Sequence, residues 1–114
     1  MKIKKINRIK SESVSMYGST GTSIQLLWGK DDGVPNFALR KFSIKPGGNI
    51  GLHGHSEEHE IYILSGEGIV FDDSGNEIHI KENDTIFVPP NETHAYTNTG
   101  TKDLQFLCII PILQ

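Results

Sequence analysis

Glycine and proline cut this chain into pieces of strand length. Twelve glycines and five prolines are spread over 114 residues, and they leave few windows long enough for a multi-turn helix. The residues between them point the same way. Ile, Val and Thr together number 26, whereas Ala occurs only at Ala38 and Ala95. β-Branched side chains are stiff at χ1 and sit better on a pleated strand than on a helix. Alternation of apolar and polar residues predicts strands near Ser23–Trp28, Phe37–Ile44, Gly51–His55, Glu60–Ser65, Gly68–Asp72, Glu77–Ile80, Thr85–Val88, His94–Asn98 and Leu104–Ile110. Turn-forming residues separate them: Lys30-Asp31-Asp32-Gly33, Lys45-Pro46-Gly47-Gly48, Asp72-Asp73-Ser74-Gly75-Asn76 and Lys81-Glu82-Asn83-Asp84. The third of these makes a hairpin candidate. Many short strands at regular spacing predict an all-β sandwich or small barrel.

The length suits one domain, and 36% hydrophobic with 22% charged residues is an ordinary globular composition. No apolar run is long enough to cross a bilayer as a helix. The start, Met1-Lys2-Ile3-Lys4-Lys5-Ile6, lacks the apolar stretch of a secretory signal. Cys108 is the only cysteine, which excludes an internal disulfide or a multi-cysteine zinc site. A soluble cytoplasmic protein is therefore the expectation. The net charge of −3 is unevenly spread: residues 1–10 carry five basic residues and no acid, leaving six basic and fourteen acidic residues in 11–114. Such an acidic body repels nucleic acid phosphate, so neither a nucleic acid nor a membrane partner is expected. Residues 1–20 read as a lead-in or edge strand and 21–114 as the domain.

The histidines carry the chemistry. Three fall within seven residues, at His53, His55 and His59, and His94 follows Pro89-Pro90-Asn91-Glu92-Thr93. Positions i and i+2 of a strand project to one face, so His53 and His55 point together. A short turn at Ser56-Glu57-Glu58 would bring His59 to the same point, with His94 arriving from a distant strand. A single histidine is more often a surface or hydrogen-bonded residue than a ligand. Three at this spacing favour a metal, because imidazole is the commonest nitrogen ligand of first-row ions and unpartnered histidines gain a core nothing.

Two stretches resemble the motifs of the cupins. Gly47, five residues, His53-Gly54-His55, three residues, His59, six residues and Gly66 follow the first, with His59 standing where glutamate is usual. Asn83, five residues, Pro89-Pro90-Asn91, two residues, His94, three residues and Asn98 follow the second, with asparagine at both glycine positions. Asn tolerates left-handed backbone better than most residues, so those exchanges are mild. The resemblance spans roughly residues 37–110. It implies a double-stranded β-helix, the cupin jelly-roll barrel, and a small single-domain member with an all-histidine metal site at His53, His55, His59 and His94. Glu60 is the alternative acidic ligand; strand parity sets it on the opposite face from His59, Ile61 and Ile63. The implied cofactor is one divalent ion (manganese, iron, nickel or zinc), with manganese slightly preferred.

Four neutral ligands leave an octahedral ion its full charge and two open positions. A keto-acid, sugar acid or diol can chelate there, with the ion as Lewis acid or, for iron and manganese, beside dioxygen. The expected function is thus a metal-dependent enzyme (isomerase, lyase, decarboxylase or dioxygenase) on a small oxygen-rich molecule. The alternative is a ligand-binding or sensing module without turnover. Tyr96 shares a face with His94 and is a candidate acid–base group, with core filling as the competing role. Arg40 lies between apolar neighbours and is a candidate clamp for a substrate carboxylate, a structural ion pair being the other reading. Cys108 reads as a small buried hydrophobe, Trp28 and Phe106 as core or interface, Glu92 as a solvated acid and His79 as exposed. The family resemblance also implies a homodimer, with the N-terminal strand and its Ile3, Ile6 and Ile9 covering a sheet edge.

Overall fold

The computed structural model describes residues 1–112; the last two residues of the 21–114 domain lie outside them. The described residues form nine strands: β1 (Glu12–Val14), β2 (Thr20–Trp28), β3 (Phe37–His53), β4 (His59–Ser65), β5 (Glu67–Phe71), β6 (Glu77–Lys81), β7 (Thr85–Val88), β8 (His94–Asn98) and β9 (Leu104–Pro111). Single 3₁₀ turns occur at Ile6–Arg8, Met16–Gly18 and Lys30–Asp32, and there is no α-helix among the described residues. Every strand pairing is antiparallel. The order β6-β5-β8-β3-β9-β4-β7, with β2 and β1 branching from β3, curls one sheet into the expected all-β cupin barrel.

The predicted strands recur with ends shifted by a few residues, with one difference. Phe37–Ile44 and Gly51–His55, expected as two strands around a turn, belong to the single 17-residue β3. Its first half pairs with β9 and β2, its last residues with β8. Lys45-Pro46-Gly47-Gly48 is a corner and not a reversal. Pro46 has no N–H to leave unpaired, Gly47 takes φ +79°, and a Cβ on Gly48 would lie 2.8 Å from the Thr20 carbonyl oxygen. Elsewhere the turn chemistry behaves as expected. Asn83 and Asn91 adopt φ +73° and +67°, and Asp72-Asp73-Ser74-Gly75-Asn76 closes the β5–β6 hairpin, with Phe71 opposite Glu77.

The inward faces supply one core, including Ile44, Ile63, Leu104 and Phe106, all 1% exposed or less. The N-terminal segment lies on its own chain. β1 pairs with β2, Gln25 Nε2 donates to the carbonyls of Ile6 and Ile9, and Lys4 pairs with Asp32 at 2.7 Å while covering the Trp28 ring. Trp28 is accordingly half-buried at the surface, whereas Phe106 is core.

Asn98 ties the two halves of the barrel together. Its side chain is buried, Nδ2 donates to the carbonyls of Ile44 and Lys102, and Oδ1 accepts from Gly100 N–H. Asn98→Ala strands the buried Ile44 carbonyl, and the expected loss is about 2–3 kcal/mol in urea unfolding. A loss below about 0.5 kcal/mol would show that the carbonyl finds another partner.

Candidate metal centre

The corner in β3 delivers His53 to the strand's end, directly opposite His94, the first residue of β8. His55 follows two residues later and His59 opens β4. Ligand atoms of His53, His55 and His94 all lie within 4.8 Å of one another. In each, Nδ1 donates to a nearby carbonyl: His53 to Gly51 at 2.7 Å, His55 to Glu57 at 2.8 Å and His94 to Glu92 at 2.8 Å. An Nδ1 committed as donor leaves Nε2 with its lone pair free. Burial holds His53 below its ordinary pKa and pushes His94 down to about 4, so both are neutral at pH 7.

The expected fourth histidine stands outside that group of three but adjoins it. His59 Nε2 is 2.5 Å from His55 Nε2. Two lone pairs repel at such a separation, so the contact suits a shared proton or a common ion to one side that draws both nitrogens toward it. Its environment also differs from that of the other three. Burial first, then the Arg40 guanidinium, pushes His59 down to about 3. Its Nδ1 meets no backbone carbonyl; it lies 2.8 Å from Cys108 Sγ and 3.2 Å from Arg40 Nη2. Arg40 Nη2 also donates to Cys108 Sγ at 3.2 Å. Two tautomers are compatible with this triangle. With Nδ1–H donating to sulfur, Nε2 offers a lone pair. With Nδ1 accepting from Arg40, Nε2 carries the proton and cannot ligate.

The strand register explains Arg40 and Cys108. They are cross-strand partners on β3 and β9, and both face inward. Cys108 is buried as expected, yet its sulfur is engaged by two polar groups, which sequence proximity could not show. Burial pushes its thiol up while Arg40 opposes. Arg40 has no carboxylate partner among the described residues, and its Nε is buried without a hydrogen bond. Tyr96 is 3% exposed, its ring 5.6 Å from that of His94, and burial holds its hydroxyl protonated well above the usual range. Glu60 points outward between Phe87 and Ile109, away from the histidines. Glu92 meets the site only through its backbone carbonyl, which accepts from His94 Nδ1, and His79 is exposed.

A cavity of about 260 Å³ opens on the cluster. Val14, Met16 and Tyr17 line it without having been singled out by sequence. They form a strap that leaves the end of β1 at Val14 and leads toward β2, and the Tyr17 ring stacks on His53 at 4.5 Å, 6° from parallel. Tyr17 adopts φ +61°, a conformation unusual for a bulky residue. Ser19 Oγ pins the turn by donating to the Met16 carbonyl and accepting from Gly51 N–H. A Cβ at Gly51 would overlap the Tyr17 carbonyl, at 1.8 Å, so only glycine allows this approach. The pair Tyr17-Gly18 was the available signal, since two consecutive left-handed residues mark a tight turn.

Comparison with known proteins places the arrangement in context. The chain is 46% identical over 74 residues to the oxalate-binding protein of Thermotoga maritima, covering 64% of this chain and 60% of that protein. It is 33% identical over 103 residues to auxin-binding protein 1 of Arabidopsis thaliana, covering 82% and 52%. It thus spans a little over half the length of these curated relatives. Among solved structures, the polyketide cyclase RemF of Streptomyces resistomycificus superposes with a TM-score of 0.91 at 30% identity, covering 97% of this chain and 79% of that one. A predicted oxalate decarboxylase of Thermotoga maritima gives 0.87 at 32%, covering 98% and 100%. The Cupin domain model matches residues 40–110, from the arginine beside the histidines to the last strand. The chain belongs to the cupin family.

Proposed function

We propose that this cupin binds one divalent metal ion through His53, His55, His94 and His59, and uses it to act on a small anion that chelates through two oxygens. The observation that carries this reading is the anchoring of three Nδ1 atoms to backbone carbonyls, which turns the three Nε2 atoms to one region. The donor set fits an imidazole-loving first-row ion, and manganese, iron, nickel and zinc are the candidates. Such an ion supplies a Lewis acid that polarises a bound oxygen.

The chain's own residues supply the rest. Arg40 holds unspent N–H donors beside the histidines and pairs with the anion's charge. Tyr96, kept protonated by burial, donates a hydrogen bond to a substrate oxygen and does not act as a base. Likeness to a polyketide cyclase favours turnover. Two relatives named for binding oxalate and auxin favour a binding protein as the second reading. Incubating metal-loaded protein with keto-acids, diols and dicarboxylates, with and without oxygen, separates them: product identifies an enzyme, saturable binding alone a binding protein.

Titration calorimetry is expected to give one metal site per chain, lost in His94→Ala and weakened in His59→Ala. Wild-type protein that takes up no more metal than the His53→Ala, His94→Ala double variant would refute the site. Cys108→Ala leaves Arg40 as the remaining polar neighbour of His59 Nδ1 and favours the non-ligating form, weakening metal binding about 10- to 100-fold. Cys108→Ser keeps an acceptor there and recovers most of the affinity.

We also propose a homodimer formed by a sheet face. The outer surface of β7, β4, β9 and β3 carries Phe87, Tyr62, Ile109 and Leu39, of which the first three are more than 40% exposed. Glu60 projects within this face between Phe87 and Ile109, and desolvation followed by the neighbouring Glu58 raises its carboxyl. A two-fold axis through the face sets the apolar side chains of one copy against those of the other. Sedimentation is expected to show a dimer at micromolar concentration and a monomer for Phe87→Lys with Ile109→Lys. A monomeric wild type would rule the face out.

A further inference from the structure

The walls of the cavity restrict what can lie in it beyond the chelating oxygens. Its polar groups are the four imidazoles, the Arg40 guanidinium, the Glu57 carboxylate, the Cys108 thiol and two tyrosine hydroxyls. Among the described residues, no Ser, Thr, Asn, Gln, Asp or Lys side chain lines it. The remaining wall is hydrocarbon: Val14, Met16, Phe42, Ile50, Phe106 and Ile110. Phe42 stacks on Phe106 with centroids 5.2 Å apart, and Phe106 lies 5.3 Å from Tyr96, so one side is a continuous aromatic surface.

A sugar acid or polyol carries a hydroxyl on nearly every carbon. Hydroxyls that met Val14, Met16, Phe42, Ile50, Phe106 or Ile110 would leave water for side chains without a hydrogen-bonding partner, an unfavourable exchange. The strap adds to the bias. Met16 is 64% exposed and Tyr17 53% exposed, and both line the mouth. Their position is fixed by Ser19 and by the close approach at Gly51, so the apolar wall exists before a ligand arrives. A cavity of about 150 Å³ accepts a benzene ring; the 260 Å³ here holds one or two rings and an acid group.

We propose that the ligand of this cavity is a planar acid with an aromatic or conjugated body, its oxygens at the histidines and Arg40 and its body against Phe42, Phe106, Val14 and Met16. The acid end rests on the metal site proposed above; the body does not. Of the keto-acid, sugar acid or diol expected from sequence, this disfavours the sugar acid and the diol and narrows the keto-acid to one with an aryl or unsaturated body.

The test uses manganese-loaded full-length protein and three probes: 1-naphthoate (an acid with an aromatic body), glucuronate (an acid with a hydroxylated body) and oxalate (an acid with none). Naphthoate is expected to bind at least about tenfold more tightly than glucuronate, from the apolar area it buries. Met16→Gln, an uncharged change at an exposed position, is expected to weaken naphthoate severalfold through the loss of apolar contact, with oxalate unaffected. Glucuronate binding as tightly as naphthoate, or naphthoate binding indifferent to Met16→Gln, would overturn the proposal. Naphthoate binding retained alongside no oxalate binding and no metal uptake would uphold this inference while removing the metal site.

Discussion

β3 hydrogen-bonds to strands in both halves of the barrel, and the site depends on that double membership. Its first half is held by β9 and β2 and its last residues by β8. To serve both, the strand must turn a corner without breaking its ladder, at a place where a proline has no donor to lose and a glycine tolerates a crowded neighbour. The corner sets the end of β3 against the start of β8, and His53 meets His94 as a cross-strand pair. Arg40, thirteen residues earlier on the same strand, meets Cys108 and reaches His59 on the next strand but one. Histidines from three separate stretches therefore converge because one strand is shared.

Electrostatics then separates the four imidazoles into two kinds. Three are locked by backbone carbonyls, which are poor at changing state and fix the tautomer outright. The fourth faces a permanent cation and a thiol, so its tautomer depends on which of the two it engages. Burial holds His53, His59 and His94 below their ordinary pKa, and it leaves the Arg40 charge without a carboxylate partner among the described residues. A buried guanidinium with an unbonded Nε is costly unless an anion joins it. The histidine cluster and the Arg40 guanidinium thus converge on one small cavity.

The strap gives the cavity one of its apolar walls. Val14 ends β1, Met16 and Tyr17 follow it before β2, and the segment offsets a left-handed tyrosine with a ring stacked on His53 and a turn pinned by Ser19. With Phe42 and Phe106 opposite, it surrounds a polar centre with hydrocarbon. The family resemblance speaks for the centre; it says nothing of these walls, which differ wherever the lining residues do.

Much was legible in the order of residues. Short β-branched stretches between glycines and prolines determine an antiparallel all-β chain, because no helix survives such punctuation. The spacing of His53, His55, His59 and His94, with Asn83 and Asn91 in left-handed turns, marks the barrel and its histidines, because side-chain period and turn conformation are local properties. Parity alone set His59 inward and Glu60 outward. The register of β3 against β9 was not legible, nor was the path of the strap, since both depend on pairings between residues far apart in the chain. Those pairings decide that Cys108 and Arg40 share the tautomer of His59, that only three histidines form the tight cluster, and that the cavity is walled with hydrocarbon. Long-range hydrogen bonding and packing choose among many registers a local pattern permits equally.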